Sequence, residues 1–287
     1  MEITLNKLSK TYDKKIAVDH VSVTLKPGIT GLLGANGSGK TTMMRMMVDV
    51  LKPTKGEILW DGADIHSCMS EYLSQLGYLP QHVGLYPSFR VDEFLEYIGA
   101  LKGLKPAYTK KRIDELLKEL NLKEQKRKKI KTLSGGMKQR LGIAQCLLND
   151  PSIVILDEPT VGLDPKERNQ FSMLLSRISK DKIVLISTHI VSDIENIANQ
   201  VLIMKNGSFV DYNTPEALLE QLHGLVYEKV CTIEEMQELS STCIICNQKN
   251  EAQGIKLRFI SETKMDIPCV EPSLNDVYLY HFQEEAL

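Results

Sequence analysis

Apolar and polar positions alternate over Ile3 to Leu8 and over Ala17 to Leu25, and this two-residue period predicts two strands. Lys26-Pro27-Gly28 turns the chain into a third, Ile29 to Leu33, which runs straight into glycines. Beyond Thr41 the period changes. Met43, Met44, Met46, Met47, Val50 and Leu51 fall at helical spacing until Lys52-Pro53-Thr54-Lys55-Gly56 stops them, and the methionines read as a helix packed on a sheet, not as a metal site. Glu57 to Trp60 and Gly77 to Pro80 add short strands. From Val91 to Asn149 the spacing is helical almost throughout, with Phe94, Leu95, Ile98 and Leu101 followed by Ile113, Leu116, Leu117 and Leu120, which predicts a helical insertion. Strand character returns at Ile153 to Leu156, Ile183 to Ser187, Val201 to Met204 and Ser208 to Val210.

Thr214-Pro215-Glu216 reads as a capped helix start, and past Leu222 the composition shifts. Strands are expected at Leu225 to Cys231, Cys243 to Cys246 and Ile255 to Ile260. Thr232-Ile233-Glu234-Glu235 offers a capping box for a short helix, and Asn275 to Phe282 a closing one. The expected organisation is a large mixed α/β domain over residues 1–222, with its helical subdomain at about 85–150, and a small α/β accessory domain over 223–287.

Charge narrows the classes of partner. Lysine and arginine number 35 against 37 acidic residues, a balance of −2 that gives no electrostatic reason to expect nucleic acid. The most basic stretch, Lys123 to Lys131, is interrupted by Glu124 and carries no aromatic residues, so it reads as solvated surface. No apolar run reaches the roughly 18 to 20 residues of a membrane span. The start, Met1-Glu2-Ile3-Thr4-Leu5, is strand-like and not a basic region followed by an apolar signal core, so a cytoplasmic location with reduced thiols is expected. Cys243 and Cys246 lie three apart on an expected strand and would point to opposite faces, which argues against a redox pair or half of a zinc site.

The chemistry sits in three segments. Gly34-Ala35-Asn36-Gly37-Ser38-Gly39-Lys40-Thr41 satisfies the phosphate-loop pattern between a predicted strand and a predicted helix. Its glycines let backbone N–H groups turn toward phosphates, Lys40 supplies a point charge to the β and γ groups, Thr41 can ligate magnesium, and Thr42 adds a donor to the α-phosphate. The apolar run Ile153 to Leu156 ends in Asp157 and Glu158, at the strand end where open α/β sheets place ligands. Asp157 is suited to holding magnesium and Glu158 to polarising an attacking water. Leu133-Ser134-Gly135-Gly136-Met137-Lys138-Gln139-Arg140 presents a hydroxyl and close backbone N–H groups at a helix start, where an anion is favoured, although Ser-Gly-Gly taken alone is far more commonly a capping serine with turn glycines.

Together these segments resemble the nucleotide-binding subunit of ATP-binding cassette (ABC) transporters over about the first 220 positions, with every motif in order. The resemblance implies a P-loop NTPase core carrying an inserted helical subdomain. It implies that Tyr12 stacks on adenine, that Gln81 touches magnesium or the attacking water, and that His189 contacts the γ-phosphate; an aromatic face, an amide and an imidazole are chemically suited to those tasks. It further implies that Gly162-Leu163-Asp164-Pro165 communicates between two active sites. Ser134, Gly135 and Gly136 would then close over the ATP held by a partner's phosphate loop, giving a head-to-tail homodimer or heterodimer with two composite sites.

Gly84-Leu85-Tyr86-Pro87, Leu101-Lys102-Gly103-Leu104 and Pro272 to Leu279 resemble subunits that serve exporters of drugs, peptides or lipids. The expectation is an ATPase that works with separate membrane permease subunits at the inner face of the cell membrane. The alternative is a soluble cassette ATPase acting on a non-transport partner.

Overall fold

In the computed structural model, residues 1–282 are described. The chain divides into two compact units, the first Met1–Phe209 and the second beginning at Val210.

In the first unit, β1 (Ile3–Tyr12) and β2 (Lys15–Leu25) form an antiparallel hairpin that pairs Tyr12 with Lys15 across a two-residue turn. Both strands are longer than their alternation suggests, because the ladder continues past the point where burial, and hence the pattern, stops. β4 (Lys55–Trp60) adds to the other edge of β1, and β5 (Ala63–Asp64) to β4, for the order β2-β1-β4-β5. The second sheet is built from β3 (Gly28–Leu33), β6 (Leu76–Leu79), β7 (Ile153–Asp157), β8 (Ile183–Thr188), β9 (Gln200–Lys205) and β10 (Ser208–Asn213), of which Ser208 and Phe209 close the first unit. Its order is β10-β9-β3-β8-β7-β6, with parallel pairing from β9 through to β6. β7 and β8 are buried along their whole length, as continuous apolar runs in a central parallel sheet require.

Both sheets share one core through α1 (Lys40–Met47), whose Met43, Met44, Met46 and Met47 are at most 1% exposed. The helix ends earlier than its apolar spacing predicts: Val50 lies past it and is 68% exposed. α2 (Met69–Ser74) precedes β6. The helical insertion comprises α3 (Val91–Leu101), α4 (Pro106–Glu119) and α5 (Gly135–Cys146), with Phe94, Leu95, Ile113, Leu116 and Leu117 buried as their spacing predicts. α6 (Pro165–Ile178) runs between β7 and β8.

The second unit holds a three-stranded antiparallel sheet, β11 (Val226–Cys231), β13 (Gly254–Ile260) and β12 (Ile244–Glu251) in that order. α7 (Pro215–Glu220) begins at the capping Thr214, and α8 (Ile233–Thr242) opens on the expected capping box of Thr232 and Glu235. On one face of the sheet Tyr227, Leu257 and Phe259 pack against Met236 and Leu239 of α8. On the other, Arg258 makes a two-pronged pair with Asp276 of α9 (Leu274–His281) and a further ion pair to Glu228 at 3.0 Å. Cys243 packs in the apolar cluster while Cys246, at a register shift in β12, lies against Asp276, and all six cysteines are free. Burial, and then the Asp276 charge, push the Cys246 thiol up to about 12.

Candidate active site

β3 ends at Leu33 and delivers the glycine-rich loop to the start of α1. Gly39 adopts φ 109°, and a Cβ there would lie 2.4 Å from the carbonyl oxygen of Ala17, so no other residue fits without displacing the hairpin backbone. Lys40 folds back over the loop and donates from Nζ to the carbonyls of Gly34 (2.6 Å) and Ala35 (3.0 Å). Burial holds this ammonium below its ordinary pKa, while the carboxylates of Glu158 and Asp157 act in the opposite direction.

Asp157 closes β7 and is fully buried. Its Oδ1 accepts from the Ser187 hydroxyl at 2.6 Å, while its Oδ2 is buried with no partner among the described residues. Glu158, the next residue, takes the left-handed conformation (φ 51°), which is strained for a side chain of this size and is pinned by its N–H donating to the Ser187 carbonyl (3.2 Å) and hydroxyl (3.1 Å). That turn carries its carboxylate to 2.9 Å from His189 Nδ1, an exposed imidazole against a buried acid. Beside them, burial and then the Asp157 charge raise the Tyr78 phenol, with Arg45 opposing.

A cleft of about 420 Å³ collects most of the expected residues: Tyr12, Asn36, Gly37, Gly39, Lys40, Thr41, Thr42, Gln81 and Glu158 line it. Gly34 and Ser38 are buried within the loop. Asp157 sits behind Glu158, and His189 reaches the cleft only through Glu158. The Tyr12 ring is 44% exposed, with Lys10 Nζ 5.4 Å from its centroid. Lys15 and Ala17 also line the cleft, although nothing in the local sequence of the hairpin marks them.

Ser134, Gly135 and Gly136 do not line this cleft. Ser134 caps α5, its hydroxyl accepting from the Met137 N–H at 3.2 Å, and both Ser134 and Gly135 are exposed. Gly136 is buried against the Gly162 loop: a Cβ there would meet Glu167 Oε2 at 2.7 Å and the Gly162 carbonyl at 3.1 Å. Glu167 in turn pairs with Arg140 at 2.8 Å and completes a capping box with Asp164, so α5 and the start of α6 are tied within one chain. Gln81 also lines a second groove, of about 490 Å³, together with Val83, Leu85, Gly135 and Gln139.

The family model for the ABC transporter domain matches residues 18–161. The Nod factor export ATP-binding protein I of Cupriavidus metallidurans is 32% identical over 259 residues, covering 90% of this chain and 85% of that one. The chain belongs to the ATP-binding subunits of ABC transporters. Among solved structures, the dimeric bacterial ABC transporter cassette MJ0796 superposes with a TM-score of 0.69 at 26% identity, over 74% of this chain and 98% of that one. The same cassette in a dimeric post-hydrolysis state, bound to ADP and Pi, gives 0.68 over the same shares. This ABC subunit therefore has the P-loop NTPase fold and is an ATP-binding ATPase. Among its described residues no helix is long and apolar enough to cross a membrane.

Two partners of the ABC subunit's site escape a motif-based reading. Ser187, whose hydroxyl and carbonyl hold Asp157 and Glu158, immediately precedes Thr188-His189 and could have been found there. Asp193, buried behind both segments, has no signal in its local sequence.

Proposed function

We propose that this subunit hydrolyses ATP as one half of a head-to-tail dimer and thereby powers export through separate membrane permease subunits, placing it at the inner face of the membrane. The observation that carries the reading is the convergence of Lys40, Thr41, Gln81 and Glu158 on one cleft, with Ser134 and Gly135 exposed outside it. In this reading Tyr12 stacks on the adenine, backbone N–H groups of Asn36, Gly37, Ser38 and Gly39 with Lys40 hold the β- and γ-phosphates, and Thr42 donates to the α-phosphate. Lys40 leaves the Gly34 and Ala35 carbonyls to do so, exchanging two neutral acceptors for a charged one. Glu158 takes the proton of the attacking water and His189, bonded to it, donates to the γ-phosphate.

Mg²⁺ fits the residues present. Asp157 Oδ2 is a buried anionic oxygen with no partner among the described residues, and Thr41 and Gln81 offer neutral oxygens, the hard-donor set that Mg²⁺ prefers. Bound there, the ion would neutralise charge on the β- and γ-phosphates. Ser134, Gly135 and Gly136 serve the ATP held by the partner subunit, which the dimeric state of the MJ0796 cassette supports. Export is supported by the name of the Nod factor export relative. Gln81, lining both the cleft and the neighbouring groove, is the side chain through which a permease docked on the helical insertion would sense nucleotide. Residues 1–222 form the cassette in this reading and 223–287 an accessory domain.

The test is Glu158→Gln, which keeps the hydrogen-bonding shape and removes the base. Phosphate release should fall by about 100-fold or more, and ATP should drive a stable dimer on size exclusion. Unchanged turnover, or a variant that stays monomeric in ATP, would overturn the proposal.

A further inference from the structure

Asp193 belongs to no recognisable motif, yet it joins the segments that carry Glu158 and His189. It ends the short turn Val191–Asp193 that follows His189, and its side chain is 3% exposed. Its Oδ2 accepts from the Thr160 hydroxyl, two residues beyond Glu158, at 2.5 Å and from the Thr188 hydroxyl, next to His189, at 3.2 Å. The Thr188 oxygen also accepts the Ile190 N–H at 3.0 Å, and of the two acceptors for its proton Asp193 is nearer than the Ile190 carbonyl at 3.5 Å. The other carboxylate oxygen faces the Arg168 guanidinium at 3.6 Å, and Arg168 donates from Nε to the Leu163 carbonyl at 3.3 Å. Leu163 is bound back to Thr160 by its own N–H at 3.1 Å. A buried carboxylate is costly unless fully paired, and a broken one leaves its neighbours unpaired as well, so this knot holds its geometry tightly.

We infer that Asp193 is a positioning residue for ATP hydrolysis. It clamps the segment 158–164 to the segment 187–190, so that Glu158 and His189 keep their 2.9 Å contact, and through Arg168 it fastens the same pair to the Gly162–Pro165 loop. Asp193 does not line the nucleotide cleft; it borders a separate groove of about 850 Å³ beside α6, so it acts on turnover and not on ATP binding. The inference rests on the roles proposed above for Glu158 and His189.

The measurement is steady-state phosphate release by the purified full chain. Asp193→Ala should lower kcat by about 10- to 100-fold with the KM for ATP within about threefold, the pattern of misplaced catalytic groups around an intact binding site. The double variant Thr160→Val/Thr188→Val, which deletes only the two donors, should reproduce the loss, and Asp193→Asn, which keeps an acceptor, should recover part of it. The deciding readout is a double-mutant cycle: in a His189→Ala background, Asp193→Ala should cost less than about a third of its effect in the unaltered protein, because the Glu158–His189 contact it maintains is already gone. General destabilisation would instead multiply the two losses. A kcat unchanged by Asp193→Ala and by the threonine pair, or strictly multiplicative effects, would overturn the inference. Should Glu158→Gln and His189→Ala themselves leave turnover intact, the site reading fails on its own, whatever Asp193 does.

Discussion

Gly39 shows how narrowly single residues constrain this site. With φ at 109° and the Ala17 carbonyl oxygen 2.4 Å from where a Cβ would stand, Gly39→Ala should lower stability by at least about 1 kcal/mol and weaken ATP binding together, read by thermal melting and nucleotide titration. Glu158 is the opposite case, a non-glycine residue held in the left-handed region by Ser187. Its carboxylate was legible as a catalytic candidate from its place after an apolar strand; its backbone conformation was not, because φ at a strand end depends on what receives the N–H. Lys40 was equally legible by spacing, but its anchorage on the Gly34 and Ala35 carbonyls follows from the fold of the loop alone.

Elements behave differently, since most of their stability lies in faces. The apolar spacing in α3 and α4 located most of their buried sides, because a helix packed on one side imprints a 3.6-residue period, although Leu101 at the end of α3 is 67% exposed. In α1, with four buried methionines and an exposed Arg45, the apolar run overran the helix end to Val50. In the second unit the α9 face of the sheet is held by charge. Against the burial that raises it, Arg258 and Ser273 hold the Asp276 carboxyl below the usual carboxylate range, and Lys256, ahead of Arg258, does the same for Glu228. A carboxyl lowered on folding adds stability above its unfolded pKa and loses it as the pH falls through its folded one, so the unit should weaken on acidification below about pH 4. Asp276→Asn should flatten that acid dependence. Arg258→Ala, which leaves Asp276 with its Ser273 hydrogen bonds but no ion pair, should cost about 3 kcal/mol at neutral pH in denaturant unfolding.

At the scale of the whole molecule, the exposed end of α5 lies outside the cleft and is the part proposed to meet a partner's ATP. Ser134 already caps its helix, so loss of activity on its replacement could reflect a frayed α5. Ser134→Asp separates the two effects: aspartate caps as well as serine but sets a negative charge where a partner's γ-phosphate would arrive. The expected outcome is ATP affinity of the monomer within about threefold of the unaltered protein, with ATP-driven dimerisation and hydrolysis lost. Reduced monomer affinity would place Ser134 at the chain's own nucleotide and refute the cross-subunit arrangement. Ser134→Arg should behave in the same way by blocking closure sterically.

The sequence by itself determined the family, the order of the elements and the candidate groups for meeting ATP, because phosphate binding demands particular residues at fixed local spacing and a buried strand demands an unbroken apolar run. Only the tertiary structure decided that Ser187 holds the Asp157 carboxylate and the Glu158 N–H, that Gly136 seats against Glu167, that Lys15 and Ala17 wall the cleft and that Asp193 locks the segments around it. Those contacts join residues far apart along the chain, and no local period or motif encodes a partner that only folding brings within reach.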